Sequence, residues 1–183
     1  MRYDLDHKPK TRARILEAAM TLLVGEGPAA VTIHGVMRRA GLSHGGFYAY
    51  FDSRDALFEA AMAAATERTL AGLFGEADST NDANPRDVIG RYLGRAHLEA
   101  DTGCPLPASC GGGLNEGAEE ARRDAVMAYT QPLRAIAPAD GAANSLLALM
   151  VGGVAVARAQ GGEEGEATLR ACRRAARAII GAF

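Results

Sequence analysis

The segment TIHGVMRRAGLSHGGFYAYF, Thr32 to Phe51, decides how this chain is interpreted. It contains two short helical patterns on either side of a turn. Gly41 can take the left-handed conformation that ends the first helix, and Leu42 is placed to fill the angle between the two helices. Thr32 and Ser43 are favourable N-cap residues for the first and the second helix. The segment therefore predicts two helices around a tight turn.

One face of each predicted helix is apolar. Val36 and Ala40 repeat at a spacing of four, and Phe47 and Phe51 do the same one helix later. With Leu42, these four residues predict a small core.

The other face of the second helix is small and polar. Gly45, Gly46 and Ala49 would let the backbone approach a partner closely, and His44 and Tyr48 carry hydrogen-bonding groups. A helix N-terminus also favours phosphate. A helix that reads bases in the major groove needs these properties. The alternative is an ordinary helical hairpin, although two adjacent glycines in a first turn cost roughly 1 kcal/mol each against alanine.

The first sixty residues resemble the DNA-binding domain of TetR/AcrR-type transcriptional regulators. The matching stretches are TRARILEAA (11–19), the Gly25-Glu26-Gly27 loop, AGLSHGGFYAYF (40–51) and SRDAL (53–57). The resemblance covers roughly a third of the chain, and its motif is specific. Gly35 and Met37 depart from the family's usual polar and small residues.

The resemblance implies an all-α protein with two domains. Residues 1–52 would form a three-helix helix-turn-helix DNA-binding domain, and residues 53–183 a helical ligand-binding and dimerisation domain. The function implied is a ligand-responsive regulator, a repressor by the family's default, that binds a palindromic operator as a homodimer. We expect these residues at the DNA: Lys10, Arg12, Thr32, Ser43, His44, Gly45, Gly46, Tyr48, Ala49, Tyr50 and Arg54.

Their expected roles differ. Thr32, Ser43 and Tyr48 would hold phosphates, and Lys10, Arg12 and Arg54 would add further phosphate contacts. His44 and the backbone beside it would face base edges, while Ala49 would touch a thymine methyl group.

Composition agrees with a soluble globular protein. The chain has 183 residues, of which 48% are hydrophobic and 23% charged, and a net charge of −2. Residues 1–51 contain seven Lys or Arg and four Asp or Glu, so the negative charge lies in the remainder. This distribution suits a DNA contact restricted to one end. The N-terminus lacks the pattern of a signal peptide, and the apolar run 146–157 is too short to span a bilayer, so we expect a cytoplasmic protein.

Catalysis and metal binding are not expected. The sequence contains no HExxH motif, phosphate-binding glycine loop or nucleophile elbow. Cys104 and Cys110 are six residues apart, without the paired spacing of a zinc site. The sequence thus predicts no enzyme activity, cofactor or structural disulfide.

Helical spacing and helix breakers divide the remaining chain. Residues 75–85 predict a loop, and 101–117 are too rich in proline and glycine for one regular helix. Pro132 is expected to kink or end a helix. The last two helices are predicted at 142–160 and 166–181, joined by a glycine-rich link that lets them pack antiparallel.

Two further sites follow from the resemblance. A pocket for a small, mostly apolar effector would be lined by Tyr92, Leu93, His97, Cys104, Met127 and Tyr129, although for each residue taken singly an ordinary place in the core is the better interpretation. The dimer interface would include Met150, Val151, Gly153, Val154, Ala157, Ala171, Ala175 and Ala178.

Cys104 lies in a Gly-Cys-Pro segment that related regulators carry near the ligand pocket. A redox or electrophile sensor acting through Cys104 is therefore an alternative function, which would need an accessible thiolate of low pKa. The other interpretation is a small buried packing residue.

Overall fold

The computed structural model describes residues 7–75, 83–98, 103–110, 116–137 and 139–181. These residues form α-helices joined by turns and contain no strand, which confirms the predicted all-α class. The helices are α1 (His7–Glu26), α2 (Ile33–Arg39), α3 (Arg54–Phe74), α4 (Pro85–Tyr92), α5 (Leu106–Ser109), α6 (Glu116–Ile136), α7 (Ala142–Gln160) and α8 (Gly162–Gly181). Short 3₁₀ turns occupy Pro28–Ala30, His44–Ala49 and Arg95–His97.

Local sequence signals set the N-terminal unit. Thr32 Oγ1 accepts a hydrogen bond from the Gly35 N–H at 3.0 Å and so caps α2. Gly41 closes that helix with a φ of +66°, as the sequence predicts. The Arg14 guanidinium donates to the Ala40 carbonyl at 2.7 Å and ties the end of α2 to α1. Ser53 caps α3 by accepting from the Ala56 N–H.

The predicted small core of this unit is confirmed. Val36 and Phe47 are fully buried, Ala40 and Phe51 are nearly so, and Leu42 packs against them half-buried. Gly35 fits this arrangement, because a Cβ at its position would lie 2.9 Å from Thr32 Oγ1.

The long α3 leads from the N-terminal unit into the body of the protein. It packs on α1 and on α6, while α7 and α8 form the most extensive helix pair. Gly153 of α7 permits the close approach of α8, since a Cβ there would lie 2.8 Å from Cys172 Sγ. The two last helices therefore pack against each other within one chain, as the glycine-rich link predicts.

Arginines hold several helix ends together. Arg91 donates to the Leu73 carbonyl at the end of α3, and Arg173 donates to the Leu93 carbonyl just after α4. Arg158 on α7 donates from Nε to the His97 carbonyl at 2.8 Å and from Nη1 to the Val24 carbonyl in the last turn of α1 at 3.1 Å. The last carbonyls of a helix lack partners within it, so these cations satisfy them.

One sequence-based boundary is wrong. Pro132 does not end its helix, since α6 continues through it to Ile136. α8 begins at Gly162 rather than at residue 166, because the reversal is completed by the positive φ angles of Gly161 and Gly162. Most of the predicted 75–85 loop, and parts of 101–117, lie outside the described residues.

Among the described helices, α7 alone is long and apolar enough to cross a membrane by length and composition. Leu146, Met150 and Val154 of this helix are buried in the body of the protein. Core packing accounts for part of its hydropathy, because 44% of the apolar window is buried inside the protein.

Candidate nucleic-acid interface and interior polar cluster

The segment His44–Ala49, called the recognition turn below, presents its polar side chains to solvent. His44 is exposed, and 64% of the Tyr48 side chain is accessible. Ala49 is exposed as well, and a Cβ added to Gly45 would meet no atom within 4 Å. The backbone of this surface is therefore accessible, with little side-chain bulk around it. Its two largest exposed groups are an imidazole and a phenol.

Aromatic packing supports the recognition turn from below. The Phe47 ring stacks on Phe51 at 6.0 Å between centroids and meets the edge of Tyr48 at 5.2 Å. The Arg12 guanidinium lies 4.6 Å from the centroid of Phe51, within cation–π range. The buried aromatic rings fix the position of the exposed Tyr48.

One part of the sequence prediction needs correction here. The recognition turn is a 3₁₀ helix, and the Ser43 side chain makes no capping hydrogen bond. Ser43 does occupy the N-cap position in an extended conformation and is exposed. Two glycines in one turn weaken the α-helical preference, which explains the tighter and irregular form.

The cations around this surface divide into two groups. Lys10 and Arg12 of α1 are exposed, as are Arg38 and Arg39 in the last turn of α2. Arg38 and Arg39 were not among the residues expected at the DNA. Their position directly before the turn in the sequence could have indicated this role. All four cations belong to α1 and α2, the two helices that precede the recognition turn in the same N-terminal unit.

Arg54 does not fit its predicted phosphate role. Its guanidinium donates to the Val31 carbonyl at 2.9 Å and the Pro28 carbonyl at 3.0 Å, and it pairs with Asp55. These contacts engage its donors within the chain and join α3 to the Pro28–Ala30 turn. Tyr50, also predicted at the DNA, is half-buried and packs against the core.

A second group of polar side chains lies inside the body of the protein. The Tyr92 ring stacks on His97 at 4.6 Å and meets the edge of Tyr129 at 6.5 Å. Cys104 is fully buried beside both tyrosines. Four of the six predicted pocket residues are therefore neighbours. With Thr66 and Arg158 they form what is called the interior polar cluster below.

Burial dominates the electrostatics of this cluster. It raises the pKa of Tyr92, Tyr129 and Cys104, so all three groups are neutral. Burial, reinforced by the positive charge of Arg158, lowers the pKa of His97 to about 4, so the imidazole is neutral as well. Arg158 contributes the positive charge of the cluster.

Several polar atoms of the interior polar cluster have no hydrogen-bond partner of good geometry. They are Thr66 Oγ1, the Tyr92 and Tyr129 hydroxyls, both ring nitrogens of His97, and Arg158 Nη2. Buried polar atoms usually have partners, and those without one point to a bound water or ligand. The interior polar cluster thus combines neutral side chains with one guanidinium, and several of its polar atoms can still form hydrogen bonds.

An open groove of about 1280 Å³ runs between α3 and α6 and reaches this cluster at Thr66. Its walls include Leu70, Phe74 and Pro132, together with several alanines. We call it the acidic groove, because its charged lining residues are all acidic: Glu59, Glu67, Glu120 and Asp124. His97 also lines a second, smaller cavity of about 310 Å³.

Two predicted pocket residues lie elsewhere. Met127 is 62% exposed and does not line either cavity. Leu93 is fully buried, and its carbonyl accepts from Arg173. Sequence reasoning missed the acidic groove because its alanines and glutamates are ordinary for the surfaces of two helices.

The predicted dimer interface also divides into two sets. Met150, Gly153, Val154 and Ala157 are buried within the single chain and cannot offer a surface to a partner. Ala171, Ala175 and Ala178 on α8 are exposed, and Val151 is half-buried. The outward face of α7 includes Val156, of which 50% is exposed.

Comparisons with known proteins find a family match within the first third of the chain. Residues 15–61 match the family described as "Bacterial regulatory proteins, tetR family". A curated relative, the uncharacterized HTH-type transcriptional regulator YfiR of Bacillus subtilis (strain 168), is 42% identical over 53 residues. That match covers 29% of this chain and about a quarter (26%) of the relative.

Solved structures extend the likeness to the whole fold. A TetR-family transcriptional regulator from Cytophaga hutchinsonii superposes with a TM-score of 0.72 at 17% identity, over 99% of this chain and 98% of that chain. The reduced form of NemR from E. coli gives a TM-score of 0.69 at 22% identity, over 92% of this chain and 96% of that chain. At these identities the likeness concerns the fold.

Proposed function

We propose that the chain is a TetR-family bacterial transcriptional regulator and acts as a ligand-responsive repressor that binds a palindromic operator as a homodimer. A small, mostly apolar molecule would release it from the DNA. The protein would act in the cytoplasm and catalyse no reaction.

The recognition turn is the observation that carries this proposal. His44 and Tyr48 are exposed on a backbone with almost no side-chain bulk, while Phe47 and Phe51 beneath them are buried. His44 and the backbone at Gly45 would contact base edges, and Ala49 a thymine methyl group. Thr32, Ser43 and Tyr48 would contact phosphates, with the exposed cations of α1 and α2 around them.

Dimerisation would use the outward face of the α7–α8 pair. The exposed alanines of α8, Ala171, Ala175 and Ala178, leave room for a second helix to approach, and Val151 and Val156 add apolar area from α7. Two recognition turns related by a two-fold axis would read two half-sites of a palindrome.

The effector would bind where the acidic groove meets the interior polar cluster. The groove supplies apolar walls, and Thr66 and Tyr129 supply hydroxyls without partners. Arg158 joins the cluster to the Val24 carbonyl of α1. A ligand that favours a different position of α1 would shift the population toward dimers in which the spacing of the two N-terminal units no longer matches the operator.

The proposal is tested by selecting duplexes from fragmented genomic DNA with the purified protein and measuring affinity by fluorescence anisotropy. We expect His44→Ala to reduce the ratio of operator to random-DNA affinity, and Tyr48→Phe to weaken both. If no duplex is enriched, or if His44→Ala leaves the ratio unchanged, the recognition turn does not read sequence. Once an operator is found, the effector is identified by screening a compound library for molecules that release the protein from it.

A sensor acting through Cys104 gains no support from its surroundings. The thiol is fully buried, and burial raises its pKa, whereas a reactive cysteine needs an accessible thiolate. Cys104→Ser should leave the response to a reversible effector intact. Loss of the response in Cys104→Ser, with unchanged operator binding, would favour the thiol sensor instead.

A further inference from the structure

The lining of the acidic groove selects the charge of its occupant. Glu59 and Glu67 of α3 face Glu120 and Asp124 of α6, and no Lys, Arg or His lines the groove among the described residues. All four carboxylates are exposed. None of them takes part in an ion pair within the described part of the chain. The groove therefore carries a negative field that its own walls do not neutralise.

One carboxylate lies against the first turn of α6. A Cβ at Gly117 would lie 2.9 Å from Glu59 Oε1, so Glu59 reaches across the groove to the backbone of that turn. A negative charge is favoured at a helix N-terminus. Glycine at this position leaves the space that the Glu59 side chain uses.

The floor of the groove provides a second, independent sign of a ligand. Thr66 lines the groove, is 5% exposed, and its Oγ1 has no hydrogen-bond partner. Tyr129 lies beside it, and its hydroxyl also lacks a partner of good geometry. Leu70, Phe74 and Pro132 supply apolar side chains to the lining of the same groove.

We infer that the acidic groove binds a lipophilic monocation, with its ammonium group at the rim and a hydrogen-bonding group at the Thr66 end. The rim carboxylates attract the cation and repel an anion, and the apolar walls bind the body of the molecule. This inference rests on the proposed function, because it names the chemical class of the effector. It adds a positive charge to the small, mostly apolar molecule of that proposal.

The test uses three probes with the same apolar body: 4-phenylbutylammonium, 4-phenylbutanol and 4-phenylbutanoate. Their binding to the purified full chain is measured by isothermal titration calorimetry at low ionic strength. We expect the ammonium compound to bind about tenfold more tightly than the alcohol, and the carboxylate to bind more weakly than both. Equal binding of ammonium and alcohol, tighter binding of the carboxylate, or no binding of the ammonium would overturn the inference.

Matched variants locate the site. In Glu120→Gln/Asp124→Asn, the affinity for the ammonium should fall about threefold to tenfold while the affinity for the alcohol stays the same, since an exposed charge pair contributes about twofold to fivefold. Glu163→Gln/Glu164→Gln, which removes the same charge from the first turn of α8, is the control. Equal effects in both variants would place the cation elsewhere. A changed oligomeric state in the first variant alone would make the groove a subunit interface.

The floor is tested with 4-(4-hydroxyphenyl)butylammonium. Its added hydroxyl should improve binding to the wild type and to Thr66→Ser but not to Thr66→Val. An equal gain in all three proteins would remove Thr66 from the site. Duplex binding is measured separately on the same samples. Cation binding without DNA binding would refute the proposed regulator and leave the groove assignment standing, and the converse would refute only the assignment.

Discussion

The recognition turn and the interior polar cluster use similar side chains in opposite ways. Each contains a histidine and at least one tyrosine. At the recognition turn His44 and Tyr48 are exposed, whereas His97, Tyr92 and Tyr129 are buried with polar atoms that lack partners. Exposed groups keep their water until a partner replaces it, while buried groups have lost their water at a cost in stability. The first region is therefore suited to reversible contact with a large surface, and the second to a small molecule that enters.

The comparison predicts where substitutions will affect stability. Arg158→Met should lower the free energy of unfolding by about 3 kcal/mol, because the buried carbonyls of Val24 and His97 lose their charged donor. Urea unfolding followed by circular dichroism measures this change. The control is Arg95→Met, which removes an exposed cation 3.9 Å from Glu166 and should cost less than about 1 kcal/mol. Equal costs for the two variants would contradict the account of Arg158.

The buried histidine predicts a dependence of stability on pH. Folding lowers the pKa of His97 from 6.5 to about 4, so the unfolded chain takes up its proton first as the pH falls. Stability associated with His97 is fully present above pH 6.5 and is lost progressively toward pH 4, by at most about 3 kcal/mol. Urea unfolding at several pH values should show a shallower loss in His97→Gln than in the wild type.

The matched substitution for this prediction lies at the recognition turn. His44→Gln, at an exposed position, should follow the wild-type pH profile. A His97→Gln profile parallel to the wild type would show that the imidazole is not buried in neutral form.

Replacing a tyrosine by phenylalanine in each of the two regions should have the smallest effect on the free energy of unfolding. The pair of variants nevertheless compares the two regions directly. Tyr129→Phe removes a buried hydroxyl without a good partner, so the free energy of unfolding should rise by about 0.5 kcal/mol. Tyr48→Phe should change it by less than about 0.5 kcal/mol, because the side chain is largely exposed. Anisotropy should find weaker duplex binding in Tyr48→Phe alone. Weaker binding in both variants would remove the distinction between the regions.

Sequence rules succeeded where the deciding interactions are local. The Thr32 cap and the left-handed Gly41 each depend on a few consecutive residues, and both occur in the structure. The rules failed where packing at a distance decides. The Arg54 guanidinium, predicted at phosphate, binds carbonyls more than twenty residues away.

The sites show the same division. The resemblance predicts that Tyr92, His97, Cys104 and Tyr129 lie close together, and they are neighbours in the structure. Sequence alone could not tell which face of α7 meets α8, since that helix is apolar nearly all round. Met150 and Val154 consequently appeared to be candidates for a surface although they are buried. The acidic groove depends on the pairing of α3 with α6, which no local pattern specifies.

The central claim is that the exposed recognition turn and the cations around it bind duplex DNA. Its most direct test is the salt dependence of duplex affinity, measured by fluorescence anisotropy for the wild type and for Arg38→Ala and Arg39→Ala. The account predicts a steep linear fall of log K with log salt, with a slope reduced by about one for each phosphate contact removed. No duplex binding, or the same slope in all three proteins, would contradict it.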